Sequence, residues 1–196
     1  MPNRLPKPAG AVPDPHALRE AALIYLARFA ATEAGLIRVL DRRLERWARR
    51  AEAEGAEDVA SQAAAARAQA REVARDLARA GAVNDAAFAG ARARSLARAG
   101  RSRRAVAAHL SAKGVPAGIA AASLPPPEQE LAQALAYARR RRLGPFRAAG
   151  GAPTAEQERR ELASLARAGF PPGVAIRALR ADPDEAEALV SALRRE

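Results

Sequence analysis

The helix–turn–helix stretch at residues 96–110 reads LARAGRSRRAVAAHL, and its pattern guides the interpretation of the rest of the chain. Gly100 stands just after a helix end, where left-handed backbone geometry is common. Ser102 is a favourable N-cap residue for a second helix. Val106 and Leu110 then follow at the four-residue spacing of an apolar helix face. The stretch therefore predicts two short helices joined by a tight turn.

Two similar stretches occur elsewhere, so the chain contains an internal repeat. Residues 26–30, 96–100 and 165–169 each begin with Leu-Ala-Arg, and they lie 70 and 69 residues apart. A second leucine follows fourteen residues after each leading leucine, at positions 40, 110 and 179. Units this short bury little apolar surface alone, so neighbouring units must stack. The repeat predicts an all-α fold, an elongated and curved array of about three tandem three-helix modules.

Composition supports a helical protein without a catalytic centre. The 196 residues include 56 Ala and 31 Arg, both strong helix formers, and no Cys. With only His16 and His109 as imidazoles, and with no ligand spacing around them, we expect no metal site and no cofactor. No phosphate-binding glycine loop or nucleophile–base arrangement occurs, so we expect no enzyme activity. The chain also lacks an apolar run of about 20 residues or a signal peptide, which predicts a cytoplasmic protein with no membrane association. We also expect a monomer.

Breaks in helical periodicity predict four segments. Residues 1–15 contain five prolines and are expected to form a disordered tail. A first helical module is expected at 16–62, and a second three-helix module with a basic helix junction at 63–124. A third helical module at 125–196 follows the proline run at 125–127. Five aromatic residues lie at helical core spacing and are predicted to be buried: Tyr25, Phe29, Trp47, Phe88 and Phe170.

The positive charge is concentrated in the middle of the chain. Residues 86–155 hold twelve basic and two acidic residues, a net charge of +10, whereas the rest of the chain has a net charge of +1. Drift in base composition would not exclude acidic residues from one block, so this segment implies a polyanionic partner. The candidate partner- or phosphate-binding residues are Arg92, Arg94, Arg98, Arg101, Arg103, Arg104, Lys113, Arg139, Arg140, Arg141, Arg142 and Arg147.

Several motifs resemble those of the RecX family. Residues 81–89, GAVNDAAFA, resemble its hallmark, a glycine and two hydrophobic residues followed by [DN]-D-x-x-[FY]-A. Residues 95–115 are similar to the family pattern S-x-x-x-I-x-x-x-L-x-x-[KR]-G-[VI], with Val106 and Leu110 as its apolar residues. Gly169 and Phe170 resemble the start of its C-terminal module, and residues 26–40 resemble its first module. The resemblance covers roughly residues 17–193.

This resemblance implies a regulator of the RecA recombinase, acting in DNA repair and recombination. Family members consist of tandem three-helix repeats and lie in the groove of the filament that RecA forms on single-stranded DNA. They limit filament growth and inhibit ATP hydrolysis, strand exchange and co-protease activity. The resemblance therefore implies that this chain has the RecA filament as its partner, with weak direct binding to DNA.

Two other functions remain open on sequence grounds. In a helix–turn–helix-like protein that acts directly on DNA, the basic junction at 98–104 would read the duplex, and base preference would reveal it. In a helical scaffold for an acidic protein, the same arginines would contact carboxylates and no nucleic acid would be needed. Steep salt dependence alone does not identify sequence reading, because phosphate contacts carry no sequence information.

Overall fold

A computed structural model describes residues 8–148 and 153–195 of the chain. No strand occurs in these ranges, so the all-α prediction is confirmed. None of the helices in the described part is long and apolar enough to cross a membrane. Two short 3₁₀ turns lie at Pro127–Gln129 and Gly144–Phe146. The helices are α1 Pro15–Leu26, α2 Glu33–Ala53, α3 Val59–Arg79, α4 Asp85–Arg98, α5 Arg103–Ala112, α6 Ala117–Ala122, α7 Glu130–Arg141, α8 Ala155–Arg167, α9 Pro172–Arg180 and α10 Pro183–Arg195.

Side-chain caps mark the starts of several helices, among them α2 and α8. The Thr32 hydroxyl accepts a hydrogen bond from the Gly35 amide at 2.9 Å, at the start of α2. At α8, Thr154 and Gln157 form a reciprocal capping box. Each cap satisfies amide groups that the first helical turn leaves without a partner. Helix positions are therefore determined by local sequence.

The chain divides into two compact units, Met1–Phe88 and Ala89–Glu196, with the boundary inside α4. This differs from the expected module boundary between residues 62 and 63, because α3 packs against α1 and α2 in the first unit. The apolar face of α3, with Ala70 and Leu77, completes a core formed with Leu36 and Leu40 of α2. The small and acidic residues after α2 mark only the α2–α3 loop.

Residues 8–14 differ from the expected disordered tail. The indole nitrogen of Trp47 donates to the Gly10 carbonyl at 3.1 Å, and the Ala9 amide donates to the Glu54 carboxylate at 2.8 Å. Val12 packs against the cluster around Trp47. Prolines remove amide donors but do not prevent an extended segment from lying on an apolar surface. Residues 1–7 of the expected tail lie outside the described residues.

The second unit is built around α7. Leu135 and Tyr137 of this helix pack with Leu165 of α8 and with Val190 of α10. They also pack with Phe170, which lies between α8 and α9. A fully buried leucine contributes about 2 kcal/mol to stability through removal of its apolar surface from water. The α4–α6 part of this unit buries a separate set of apolar side chains: Ala89, Ala93, Ala97, Val106, Leu110, Val115 and Ala120.

The aromatic residues divide between core and surface. Trp47 and Phe170 are buried, as predicted, and Tyr25 and Phe88 are half-buried. The prediction is wrong for Phe29, which is 53% exposed. Since α1 ends at Leu26, Phe29 lies beyond the helix and contacts the Tyr25 ring at a centroid distance of 5.2 Å. The helical spacing of apolar residues therefore does not predict burial for a residue that lies beyond the end of the helix.

Candidate polyanion-binding surface

The turn between α4 and α5 lies directly on the backbone of α7. Gly100 has a φ of +70°, a conformation that L side chains rarely adopt. A Cβ atom at this position would lie 2.6 Å from the Tyr137 amide nitrogen and 3.0 Å from the Ala136 carbonyl carbon. Only glycine allows this approach, so the turn is also a packing contact.

Ser102 connects the same turn to the end of α8. Its hydroxyl accepts from the Ala105 amide at 3.2 Å, which caps α5, and it donates to the Ala168 carbonyl at 2.7 Å. The residue is completely buried. On the next residue, the Arg103 amide donates to the buried Glu130 carboxylate at 3.3 Å. The junction is therefore held by contacts with both α7 and α8, and its basic side chains project from a fixed backbone.

Seven of the predicted residues lie on or next to this junction. Arg98, Arg101 and Arg104 are exposed, and within the described ranges none of them pairs with an acidic side chain. Arg103 is half-buried, whereas Lys113 at the end of α5 is exposed. Arg92 and Arg94 on α4 are exposed as well. The structure thus presents a surplus of guanidinium groups, which are suited to oxygen anions because of their planar array of donors.

The four consecutive arginines of α7 have different environments. Arg139 forms an ion pair with Glu187 of α10. Arg140 donates to the Ala99 carbonyl at 2.6 Å and so contacts the α4–α5 turn. The guanidinium of Arg141 lies 5.6 Å from the centre of the Tyr137 ring, and Arg142 ends the helix in a left-handed conformation. Only part of this run is available to a partner.

Arg147, the last predicted residue, is engaged inside the protein. Its guanidinium donates to both carboxylate oxygens of Glu161, at 2.6 and 2.7 Å, and the Gly144 amide also donates to Glu161. Burial alone would raise the pKa of Glu161, but these hydrogen bonds and the positive charge of Arg147 lower it below its usual value. The hydrogen bond to Glu161 raises the pKa of Arg147. This pair joins the loop after α7 to α8.

His109 links α5 to α4. The Nε of Arg92 donates to Nε2 of His109 at 2.9 Å, so the imidazole is an acceptor there and carries its proton on Nδ1. Partial burial and then the positive charges of Arg92, Lys113 and Arg101 lower the pKa of His109 below 6.5. The side chain is therefore neutral at physiological pH. In the described part of the chain, no group of three or more histidine or acidic side chains could hold a metal ion.

Arg167 belongs to this surface but was not among the predicted residues. It is exposed at the end of α8 and lines the same concavity as Arg101 and Arg104. The internal repeat contains the signal that identifies it, because the Leu-Ala-Arg segments place Arg98 and Arg167 at equivalent positions. Arg167 lies outside the basic segment at residues 86–155, so the charge distribution along the sequence does not connect it with Arg101 and Arg104.

Together these features define a class of protein: a small all-helical protein that holds unpaired arginines on a fixed helix junction. Comparison with known proteins identifies the family. Residues 84–124, which contain all of α4, α5 and α6, match the family model described as "RecX, second three-helix domain". The match starts next to α4 and excludes α3, in agreement with the packing of α3 in the first unit.

Two curated relatives extend this match. The chain is 40% identical to the regulatory protein RecX of Myxococcus xanthus (strain DK1622) over 173 residues, which cover 87% of this chain and 88% of the relative. It is 33% identical over 110 residues to the regulatory protein RecX of Agrobacterium fabrum (strain C58), covering 56% of this chain and 58% of that protein. No solved structure matches it significantly. The chain belongs to the RecX family.

Proposed function

We propose that this chain regulates the RecA recombinase in the cytoplasm, as a monomer without enzyme activity or cofactor. It binds the filament of RecA on single-stranded DNA and limits filament growth, ATP hydrolysis, strand exchange and co-protease activity. Its family membership supports the regulatory role. The observation that carries the binding mode is the cluster of exposed arginines without acidic partners on the α4–α5 junction, at Arg98, Arg101 and Arg104.

Binding on this surface is electrostatic and depends on preorganisation. Guanidinium groups on a fixed backbone lose less conformational freedom on binding than groups on a mobile loop. A filament of protein and DNA presents many phosphates, and each contact releases condensed counterions. The regulator then acts by occupancy, because a bound protein that contacts neighbouring parts of the filament hinders both addition of subunits and the movements that ATP hydrolysis requires.

Direct sequence reading by α5 has less support. A recognition helix needs side chains that form hydrogen bonds with base edges along its exposed face. Apart from Arg104 and Lys113, the exposed positions of α5 within the described ranges are Ala108, Ser111 and Ala112. This composition suits contact with a charged backbone better than discrimination among bases.

The decisive experiment measures RecA ATPase on single-stranded DNA while this protein is added well below one per RecA monomer. Inhibition at such ratios indicates action on the filament, because coating the DNA would need far more protein. The test variant reverses three charges, Arg98→Glu, Arg101→Glu and Arg104→Glu. A matched control reverses three exposed arginines of the first unit, Arg42→Glu, Arg49→Glu and Arg71→Glu.

At physiological salt, the junction variant should need about tenfold more protein, or more, for half-inhibition. The control has the same total charge and should stay close to the wild type. Equal loss in both variants would mean that net charge, not this surface, determines binding. No inhibition by the wild type until the DNA is saturated would refute the proposed function.

A further inference from the structure

An open concavity of about 640 Å³ lies between the first turns of α5 and the end of α8. Its charged or titratable lining residues in the described part of the chain are Arg101, Arg104, His109 and Arg167. The rest of the lining consists of Gly169 and alanines, which leave the space between the arginines unfilled. Three arginines from two helical regions of the second unit therefore line one opening.

Close backbone packing sets the distance between the two sides of this concavity. A Cβ atom on Gly169 would lie 2.8 Å from the Ser102 hydroxyl and 3.5 Å from the Arg104 Cβ. The hydrogen bond from Ser102 to the Ala168 carbonyl spans 66 residues of sequence. Arg104 and Arg167 are thus brought together by packing that a side chain on Gly169 would prevent.

The lining favours an anion. Negative charge at a helix C-terminus usually comes from carbonyl groups without partners. Here the Ala168 carbonyl accepts from Ser102, and those of Ala166 and Leu165 accept from the amides of the following turn. The neutral His109 adds a polar imidazole without further positive charge, and no acidic side chain appears among the lining residues that the structure describes.

We propose that this concavity binds one phosphodiester group of a nucleic-acid backbone, with Arg101, Arg104 and Arg167 as its ligands. The inference rests on the proposed function and assigns part of the binding surface to DNA instead of protein. A phosphodiester suits three arginines that line one concavity, because its charged oxygens accept hydrogen bonds from guanidinium groups. Among the described lining residues there is no aromatic ring, so the site contacts the backbone without stacking on bases.

The first test measures binding of a fluorescein-labelled oligothymidylate of twenty nucleotides to the full chain, without RecA, over a range of salt concentrations. Arg167→Gln should weaken binding severalfold and reduce the slope of log K against log salt by up to about 0.7, the value of one complete phosphate contact on a single strand. Arg104→Gln should act similarly. Arg177→Gln, an exposed arginine of α9 that does not line the concavity, is the matched control and should change neither quantity.

His109 provides a second and independent measurement. The chain has two histidines, so the His109 imidazole signal can be assigned by NMR with a His16→Gln variant. A phosphate in the concavity stabilises the imidazolium form, so the oligothymidylate should raise the pKa of His109 from its lowered value. An uncharged methylphosphonate oligomer of the same sequence should not, and Arg167→Gln should diminish the rise.

The outcomes separate this inference from the proposed function. If the salt slope and the His109 pKa are the same in wild type and Arg167→Gln, the phosphodiester site is refuted, even where the wild type inhibits RecA. If Arg167→Gln weakens inhibition of RecA but not binding to DNA, the concavity binds protein carboxylates, which also refutes the assignment. If the variants behave as expected but the wild type has no effect on RecA, the site stands and the proposed function fails.

Discussion

The turns at Gly81 and Gly100 have the same local structure in different surroundings. In each, the glycine amide bonds to the carbonyl three residues earlier, and the next amide bonds to the carbonyl five residues earlier. Their φ angles are +75° and +70°. A Cβ on Gly81 of the first unit would meet nothing within 4 Å, whereas one on Gly100 of the second would clash with the backbone of α7. Identical turn signals thus serve a free turn and a packed junction.

The same contrast extends to the helix caps and ion pairs near these turns. Asn84, after the first turn, caps α4 through a bond within three residues, whereas Ser102 also reaches Ala168. Arg79 of the first unit pairs with Asp76 on its own helix, whereas Arg147 pairs with Glu161 of another element. In these three cases the residue of the first unit acts locally and that of the second joins distant elements. The contacts of Gly100 and Ser102 are the ones that hold the basic junction in place.

The largest expected effect comes from adding one methyl group to each glycine. Gly81→Ala should lower the free energy of unfolding by about 1 kcal/mol, the cost of a left-handed alanine. Gly100→Ala carries that cost and a backbone clash, so the loss should be about 3–5 kcal/mol. Chemical denaturation, monitored by circular dichroism, measures the free energy of unfolding of both variants. Equal losses in the two variants would contradict the close packing of the Gly100 turn.

The ion pairs provide the second comparison. Arg147→Met leaves the Glu161 carboxylate with little solvent and without its main partner, so stability should fall by about 2 kcal/mol. Arg79→Met removes an exposed pair and should cost at most about 0.5 kcal/mol. Adding Glu161→Gln to Arg147→Met should recover most of the loss, because it removes the unpaired charge and keeps an acceptor for the Gly144 amide. Failure of this rescue would show that Arg147 stabilises the protein by packing rather than by charge.

The caps should differ by a smaller amount. Asn84→Ala should cost about 1 kcal/mol, the usual value of an N-cap. Ser102→Ala should cost about 2 kcal/mol, because it also leaves the Ala168 carbonyl without its donor. Thermal unfolding of both variants tests the difference, and Ser102→Thr serves as a variant that retains the hydroxyl. If Ser102→Ala costs no more than Asn84→Ala, the bond to α8 contributes nothing measurable.

The smallest effect concerns pH. Because the pKa of His109 is lowered in the folded state, the unfolded chain binds more protons between that pKa and 6.5. Stability should therefore decrease as the pH falls through 6.5 towards the folded-state pKa, and it should be unaffected by His109 well above 6.5. His109→Gln keeps an acceptor for Arg92 and should reduce this pH dependence between pH 7.5 and 5.5. If stability depends on pH in the same way in this variant as in the wild type, His109 is not the source of that pH dependence.

Local signals in the sequence predicted much of the fold and part of the site. The cap at Ser102 and the apolar face with Val106 and Leu110 act within one or two helical turns, so the residues that determine them are neighbours in sequence. The predicted burial of Phe29 was wrong, because Phe29 lies beyond the end of α1. The division of the chain into two units differs from the predicted boundary at 62–63, because α3 packs against α1 and α2. The similar turns at Gly81 and Gly100 have different surroundings, which their local sequence does not indicate.

The sequence by itself determined that this protein is all-helical, that a tight turn at Gly100 and Ser102 joins two of its helices, and that its positive charge lies in the middle of the chain. Only the tertiary structure decided which arginines remain available to a partner. Arg147 is bound to Glu161, whereas Arg101 and Arg104 line the open concavity without an acidic partner in the described residues. It also brought Arg167 to the same concavity across more than sixty residues. The physical reason is range: capping, periodicity and charge are properties of nearby residues, whereas pairing and packing depend on contacts between distant ones.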